Sequence, residues 1–206
     1  MSVLSFLSSP IKYLVALSVF LSPTLLAATR TWTPTESKVT FVAIGKPGFL
    51  RINGKGAGAQ GAATWDNGKL SGTYLVNLKD FETGLSLRDR HMKETYLEVE
   101  KYPEATLILE PLPWSPESGS SEVPFQGKLK LHGQEQAVTG KAKLAIKGDE
   151  LAVIAEFEVL LSAFKIAIPE YAGITVAEKV DIKVEWIGKE AANDTASNKD
   201  PSKTAR

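Results

Sequence analysis

Apolar and polar residues alternate along much of this chain. Phe125, Gly127, Leu129 and Leu131 take one face of a segment, and Gln126, Lys128, Lys130 and His132 take the other. Val180, Ile182, Val184 and Trp186 oppose Asp181, Lys183 and Glu185 in the same way, and Tyr74, Val76 and Leu78 repeat the pattern after Gly72. Leu151, Val153, Ala155, Phe157, Val159 and Leu161 share a face, although Ile154 and Leu160 place apolar groups on the opposite one. A period of two marks strands with one face buried. Turn chemistry falls between them at Asp66-Asn67-Gly68, His132-Gly133-Gln134-Glu135 and Lys147-Gly148-Asp149. The spacing predicts about eight strands, near 38–44, 49–65, 69–79, 104–111, 123–132, 136–147, 149–161 and 178–187.

Antiparallel strands with one greasy face suit a sheet closed on itself or a two-sheet sandwich. In the second strand Gly54, Gly56 and Gly58 line one face, and Gly127 and Gly140 stand among the apolar positions of others. A face without side chains permits a sharp bend or a cavity, and an eight-stranded barrel is wide enough for one small ligand. Close packing of strand on strand is the alternative reading of the same glycines. One stretch departs from the alternation. Leu85 to Val99 is rich in helix formers, with Met92, Tyr96 and Val99 at helical spacing. Ser86 is its expected N-cap, with Asp89 three residues on, and Gly84 and Pro103 bound it. Ser162 to Ala172, ended near Pro169 and reopened at Gly173, is expected to be irregular.

Both ends lie outside this domain. Lys12 precedes an apolar run to Leu21, followed by Pro23 and the small residues Ala27 and Ala28. That order resembles a secretory signal over residues 1–28; the run is short for a membrane span, and Pro23 breaks it. Residues 189–206 hold nothing large and apolar to bury, so a disordered polar tail is expected. The folded unit is placed at 31–188. Lys+Arg and Asp+Glu both total 24, and loss of Lys12 leaves a net charge of −1. No overall charge draws the protein to nucleic acid.

Candidate chemistry is sparse. The chain has no cysteine and two histidines, which removes disulfides, thiolate metal sites and cysteine nucleophiles. Gly56-Ala57-Gly58-Ala59-Gln60-Gly61 matches the dinucleotide pattern, but a hairpin turn and another strand follow where a helix is required. Asp89, His91, Glu94 and Glu98 offer carboxylate and imidazole groups on successive helical turns; a solvated helix face explains the same pattern. Asp89 and His91 are also an acid–base pair in principle, with no nucleophile motif beside them.

One constellation is more specific. Glu82-Thr83-Gly84, Arg88-Asp89-Arg90-His91-Met92 and Tyr96-Leu97-Glu98-Val99-Glu100-Lys101-Tyr102-Pro103 together resemble the central motif of the YceI-like family. Ser37 to Phe41 resembles that family's opening strand, Phe125 to Gly133 its Gly-x-Leu-x-x-x-Gly strand, and Phe164-Lys165-Ile166 with Val180-Asp181-Ile182 its closing segment. Two positions depart from the family pattern: Leu161 to Lys165, and Ala43 to Lys46. The resemblance implies an extended, lipocalin-like, all-β barrel of eight antiparallel strands with one short helix near 86–99. It also implies an apolar cavity holding a long isoprenoid or acyl-type lipid, periplasmic residence, no catalysis, no cofactor and often a homodimer.

On that reading the inward residues Phe41, Tyr74, Val76, Leu129, Leu131, Phe157 and Val184 are candidates for the ligand-binding wall. The motif carries over Arg88, Asp89 and His91 as candidates at the mouth. Core packing for the wall, and pinning of the helix to the barrel rim for the motif, are the competing structural roles. Two other functions stay open: an enzyme acting on such a lipid through Asp89 and His91, and a stress-response module with a filled barrel.

Overall fold

In the computed structural model the described residues are 29–46, 50–171 and 173–192. The expected signal segment and all of the tail beyond residue 192 lie outside them. Ten antiparallel strands occur among the described residues: β1 (Arg30–Lys46), β2 (Arg51–Gly56), β3 (Ala63–Asp66), β4 (Lys69–Asn77), β5 (Glu104–Pro113), β6 (Ser121–Leu131), β7 (Gln134–Lys147), β8 (Glu150–Leu160), β9 (Glu170–Tyr171) and β10 (Ile174–Glu190). Eight positions close the ring, because β1 pairs with β10. β2 and β3 share one of them, both pairing with β1, and β8 and β9 share another beside β10. The expected eight-stranded antiparallel barrel is the fold. No helix among the described residues is long and apolar enough to cross a membrane.

The hairpins form where the turns were expected. Leu131 pairs with Gln134 across His132 and Gly133, whose φ values are 50° and 71°. Two consecutive left-handed residues give the twist that antiparallel strands need. This turn corrects the reading of His132. The alternation places it on the outer face of β6, but β6 ends at Leu131 and the left-handed backbone turns the imidazole into the protein, where it is 9% exposed.

The single strand expected at 49–65 is broken between Gly56 and Ala63. Gly58 explains the break: a Cβ there would lie 2.4 Å from the Ser37 carbonyl oxygen, so the chain presses on β1 instead of running beside it. The Ala59 amide donates to Ser37 Oγ at 2.9 Å, and Gln60 exchanges backbone hydrogen bonds with Leu75 of β4. The chain thereby crosses from one neighbour to another. Gly54 and Gly56 face inward, beneath the rings of Phe41 and Phe81, whose centroids are 5.8 Å apart. The glycine face is therefore both inward and at a bend.

The first strand starts earlier than the alternation suggests, since Pro34 and a register shift interrupt its pattern. Its early part carries Trp32, which is fully buried. The last strand runs on through Lys189 to Glu190, two residues past the boundary placed at 188. The helix is shorter than 86–99. α1 (Ser86–His91) continues into a wider π-type turn, Met92–Tyr96, and its N-cap is Leu85 in place of the expected Ser86, with no side-chain cap. Asp89 is drawn away to Thr83, as described below.

Candidate ligand-binding cavity

The inward faces enclose a cavity of about 660 Å³, inside the roughly 300–1,000 Å³ range of small-molecule sites. Phe41 of β1, Tyr74 and Val76 of β4, Leu129 and Leu131 of β6, Phe157 of β8 and Val184 of β10 all line it. Every wall candidate read from the alternation is thus on the cavity wall. Two neighbouring clusters of buried side chains back this wall. The larger includes Leu129 and Phe157; the smaller is Val39, Ala59, Leu78, Phe81 and Val99.

The floor lies at the Leu70 end of β4. Leu70, Leu112, Phe125, Leu144 and Trp186 line it, and Trp32, Trp114 and Leu151 fill the barrel beyond, all 8% exposed or less. Trp32 and Trp114 pack edge to face at 6.4 Å. The opposite end lies under α1 and residues 166–170 and 174–176. Leu85 and Leu87 line the cavity there, yet are 59% and 46% exposed, so this end is the mouth. Met92, Tyr96 and Leu97 complete one rim; Ile166, Ile174 and Val176 complete the other.

Arg88 and His91 also line the mouth; Asp89 does not. Its Oδ1 accepts hydrogen bonds from the Thr83 amide at 2.6 Å and from the Thr83 hydroxyl. Arg88 completes the grip, with Nε donating to Thr83 Oγ1 and Nη2 to the Thr83 carbonyl, both at 2.7 Å. Glu82, one residue earlier, exchanges backbone hydrogen bonds with Lys55 of β2. The Arg-Asp step therefore fastens the start of α1 to the barrel, the pinning role weighed for it.

The other end of the helical stretch is fastened by His132. Nδ1 is 3.0 Å from the Phe164 carbonyl oxygen, Nε2 is 2.7 Å from Glu98 Oε2, and the Tyr102 ring packs edge-on at 4.6 Å. With Asp89 on Thr83 and Glu98 on His132, two of the three carboxylates of the four-residue metal pattern are engaged at opposite ends of the helical stretch. Tyr96 Oη accepts from the Glu170 amide at 3.3 Å and bridges the two rims.

Several lining residues escaped the sequence reading. Phe81 and Leu97 lie in stretches without a period of two, and Leu50, Ile166, Ile174 and Val176 flank irregular segments. Met92 and Tyr96 were signalled by helical spacing and stand in the family motif, but neither signal marked them as cavity lining. Inside the wall, Tyr74 is the chief polar residue: burial raises its phenol from 10.0 to about 12, so it is a neutral O–H at physiological pH.

The architecture has solved counterparts. BcnA of Burkholderia cenocepacia aligns over 73% of this chain and 95% of its own, with a TM-score of 0.61 and 21% identity. A polyisoprenoid-binding domain from Saccharophagus degradans, implicated in plant cell wall breakdown, aligns over 79% and 98%, with a TM-score of 0.61 and 13% identity. The YceI protein of Campylobacter jejuni aligns over 69% and 85%, with a TM-score of 0.54 and 13% identity. These likenesses show a shared fold. No curated protein matches the chain. The sequence pattern of the YceI-like domain matches residues 31–186, from the first barrel strand into the last, and the chain belongs to the YceI-like family.

Proposed function

We propose that this protein is an exported, non-catalytic binder or carrier of one long-chain lipid, polyisoprenoid or acyl-type, held in the barrel with its chain along the apolar wall. The observation that carries this reading is the cavity itself: about 660 Å³, apolar along its walls, closed at the floor and open at a rim of exposed leucines. Each methylene moved from water into such a space contributes roughly 0.8 kcal/mol, so ten contribute about 8 and no elaborate polar site is needed. The polyisoprenoid-binding domain from Saccharophagus degradans shares the fold and supports the choice of ligand class. A binder is favoured over an enzyme because Asp89, the acid–base candidate, is spent on Thr83 and lies off the cavity wall.

Solvent extraction of the purified mature protein, followed by mass spectrometry, tests this reading. A single co-purifying long-chain lipid is the expected result. Absence of any lipid, together with failure of the protein to take up an added isoprenoid or fatty chain, would overturn it.

A further inference from the structure

The cavity is not uniformly indifferent to polarity. Aromatic side chains stand among the leucines of its floor, and the hydrogen-bond donors there are unequally served. Of the four tryptophans, Trp65 donates to the Trp114 carbonyl at 2.8 Å and Trp114 to Ser121 Oγ at 3.0 Å, both on the periphery of the barrel end. Trp32 and Trp186 are buried with no acceptor for their indole N–H among the described residues. Trp186 lines the cavity and packs edge to face with Tyr74, their rings 6.2 Å apart.

Tyr74 points the same way. Its hydroxyl lies over Gly72, where a Cβ would come within 2.7 Å of Oη, and therefore toward the floor and away from the helix-covered mouth. No described residue accepts a hydrogen bond from it, and the half-buried side chain lies on the cavity wall. A hydroxyl left without a partner against an apolar cavity wall is costly, and an acceptor oxygen brought into the cavity removes that cost. Close packing alone would be better served by phenylalanine at this position. The polar groups at the mouth belong to a different part of the cavity: Thr83, Arg88 and Tyr96 are bonded among themselves or to backbone.

We infer that the floor of the cavity is a hydrogen-bonding site for an acceptor oxygen, a carbonyl, ether or hydroxyl, carried on the buried end of the bound lipid, with the Tyr74 hydroxyl as donor beside Trp186. This rests on the lipid-binding reading and adds to it the chemistry and direction of the ligand: an oxygen-bearing end goes in first, and hydrocarbon fills the space toward the mouth. A pure hydrocarbon terminus at the floor would leave the phenol unpaired in the complex as well.

The test compares two probes of similar length, hexadecane and methyl tetradecyl ketone, each displacing a fluorescent apolar dye from delipidated protein. The ketone should bind more tightly by about three- to tenfold, the range set by one net hydrogen bond. Tyr74→Phe should abolish that preference while keeping hexadecane affinity, and His91→Gln should preserve the preference. The carbonyl stretch of carbon-13-labelled ketone should be lowered in the parent complex and return to its alkane-solution value in Tyr74→Phe. Delipidated Tyr74→Phe should melt no lower than the parent, since it loses only an unpaired hydroxyl. Equal affinities of the parent for both probes would overturn the inference, as would a ketone preference that survives Tyr74→Phe. A loss shared equally by both probes would do the same, as the sign of a phenol that only shapes the floor or holds a water. Failure of both probes to bind the parent would instead count against lipid binding itself.

Discussion

Glu98 and His132, 34 residues apart, meet at 2.7 Å and join the end of the helical stretch to the β6–β7 turn. Both have left-handed backbones, with φ of 46° and 50°. The acceptors facing the imidazole are a carboxylate and the Phe164 carbonyl, so both contacts are made when both ring nitrogens donate. One side chain thus holds three pieces of the mouth: the helical stretch, the β6–β7 turn and the short 3₁₀ turn Leu161–Phe164.

His132→Leu should therefore lower stability by about 1–3 kcal/mol, because it strands a buried carbonyl and releases Glu98. Urea denaturation measures this. A change under about 0.5 kcal/mol would mean that water takes over both contacts.

A bulky plug should empty the cavity. Val76 lines the wall and packs against the smaller cluster of Val39, Leu78 and Phe81. Val76→Trp should displace co-purifying lipid while circular dichroism stays that of the parent barrel. His91→Gln at the mouth should weaken binding by tenfold or less, about 1.4 kcal/mol. The reverse order of effects would move the main binding energy to the mouth.

The glycines under the aromatic rings should resist enlargement. A Cβ at Gly56 would come within 2.7 Å of the Phe81 ring, and one at Gly54 within 2.1 Å of the Phe41 ring. Gly56→Val should cost about 1–3 kcal/mol by overpacking. Gly54→Ala should be partly rescued by Phe41→Leu, which removes the ring it strikes; a double variant no more stable than Gly54→Ala would show that the strain lies in the strand itself.

The Thr83 clamp should matter to stability more than to ligand choice. Asp89→Ala leaves the Thr83 amide and hydroxyl without their acceptor and should cost about 1–3 kcal/mol. Asp89→Asn keeps an acceptor oxygen and should cost less. The lipid extracted from either variant should be the same species as from the parent, as mass spectrometry would show.

Alkali should reveal the buried phenol. Burial lifts Tyr74 from 10.0 to about 12 in the folded protein. Between those values the unfolded chain gives up a proton that the folded one keeps, so stability falls as pH rises. By pH near 12 the loss reaches about 2–3 kcal/mol at 1.36 kcal/mol per unit. Tyr74→Phe should lack this component of the alkaline limb in denaturant titrations.

Much of this was legible in the chain. The faces of β4, β6, β8 and β10 follow from a period of two, because each strand meets the cavity on one side and water on the other. The broken second strand was not, since its break depends on how closely Gly58 approaches Ser37, a contact across 21 residues. His132 was misplaced for a related reason: alternation extrapolates an extended backbone, and the backbone turns left-handed at that residue. At the mouth, the Arg-Asp motif signalled its position but not its partner, because the partner Thr83 is met only once Gly84 has turned the chain. The unpaired donors at the floor belong to an aromatic cluster drawn from both ends of the chain, which no local pattern brings together.

The longest seam of the barrel joins its first strand to its last, from Trp32 opposite Glu190 to Lys46 opposite Thr175, with the Arg30–Glu190 ion pair at 2.6 Å at one end. This seam bears on how the barrel closes. Contacts so distant along the chain form slowly, on a millisecond-to-second scale for β proteins of high contact order. Until β10 arrives, β1 and β8 are bare edges open to pairing with other chains. The compartment for a guest also does not exist before that moment, because β10 supplies its last wall with Val180, Ile182, Val184 and Trp186. On the lipid-binding reading proposed above, a chain cut short before Ile174 would hold no lipid and would leave two strand edges open to pairing with other chains.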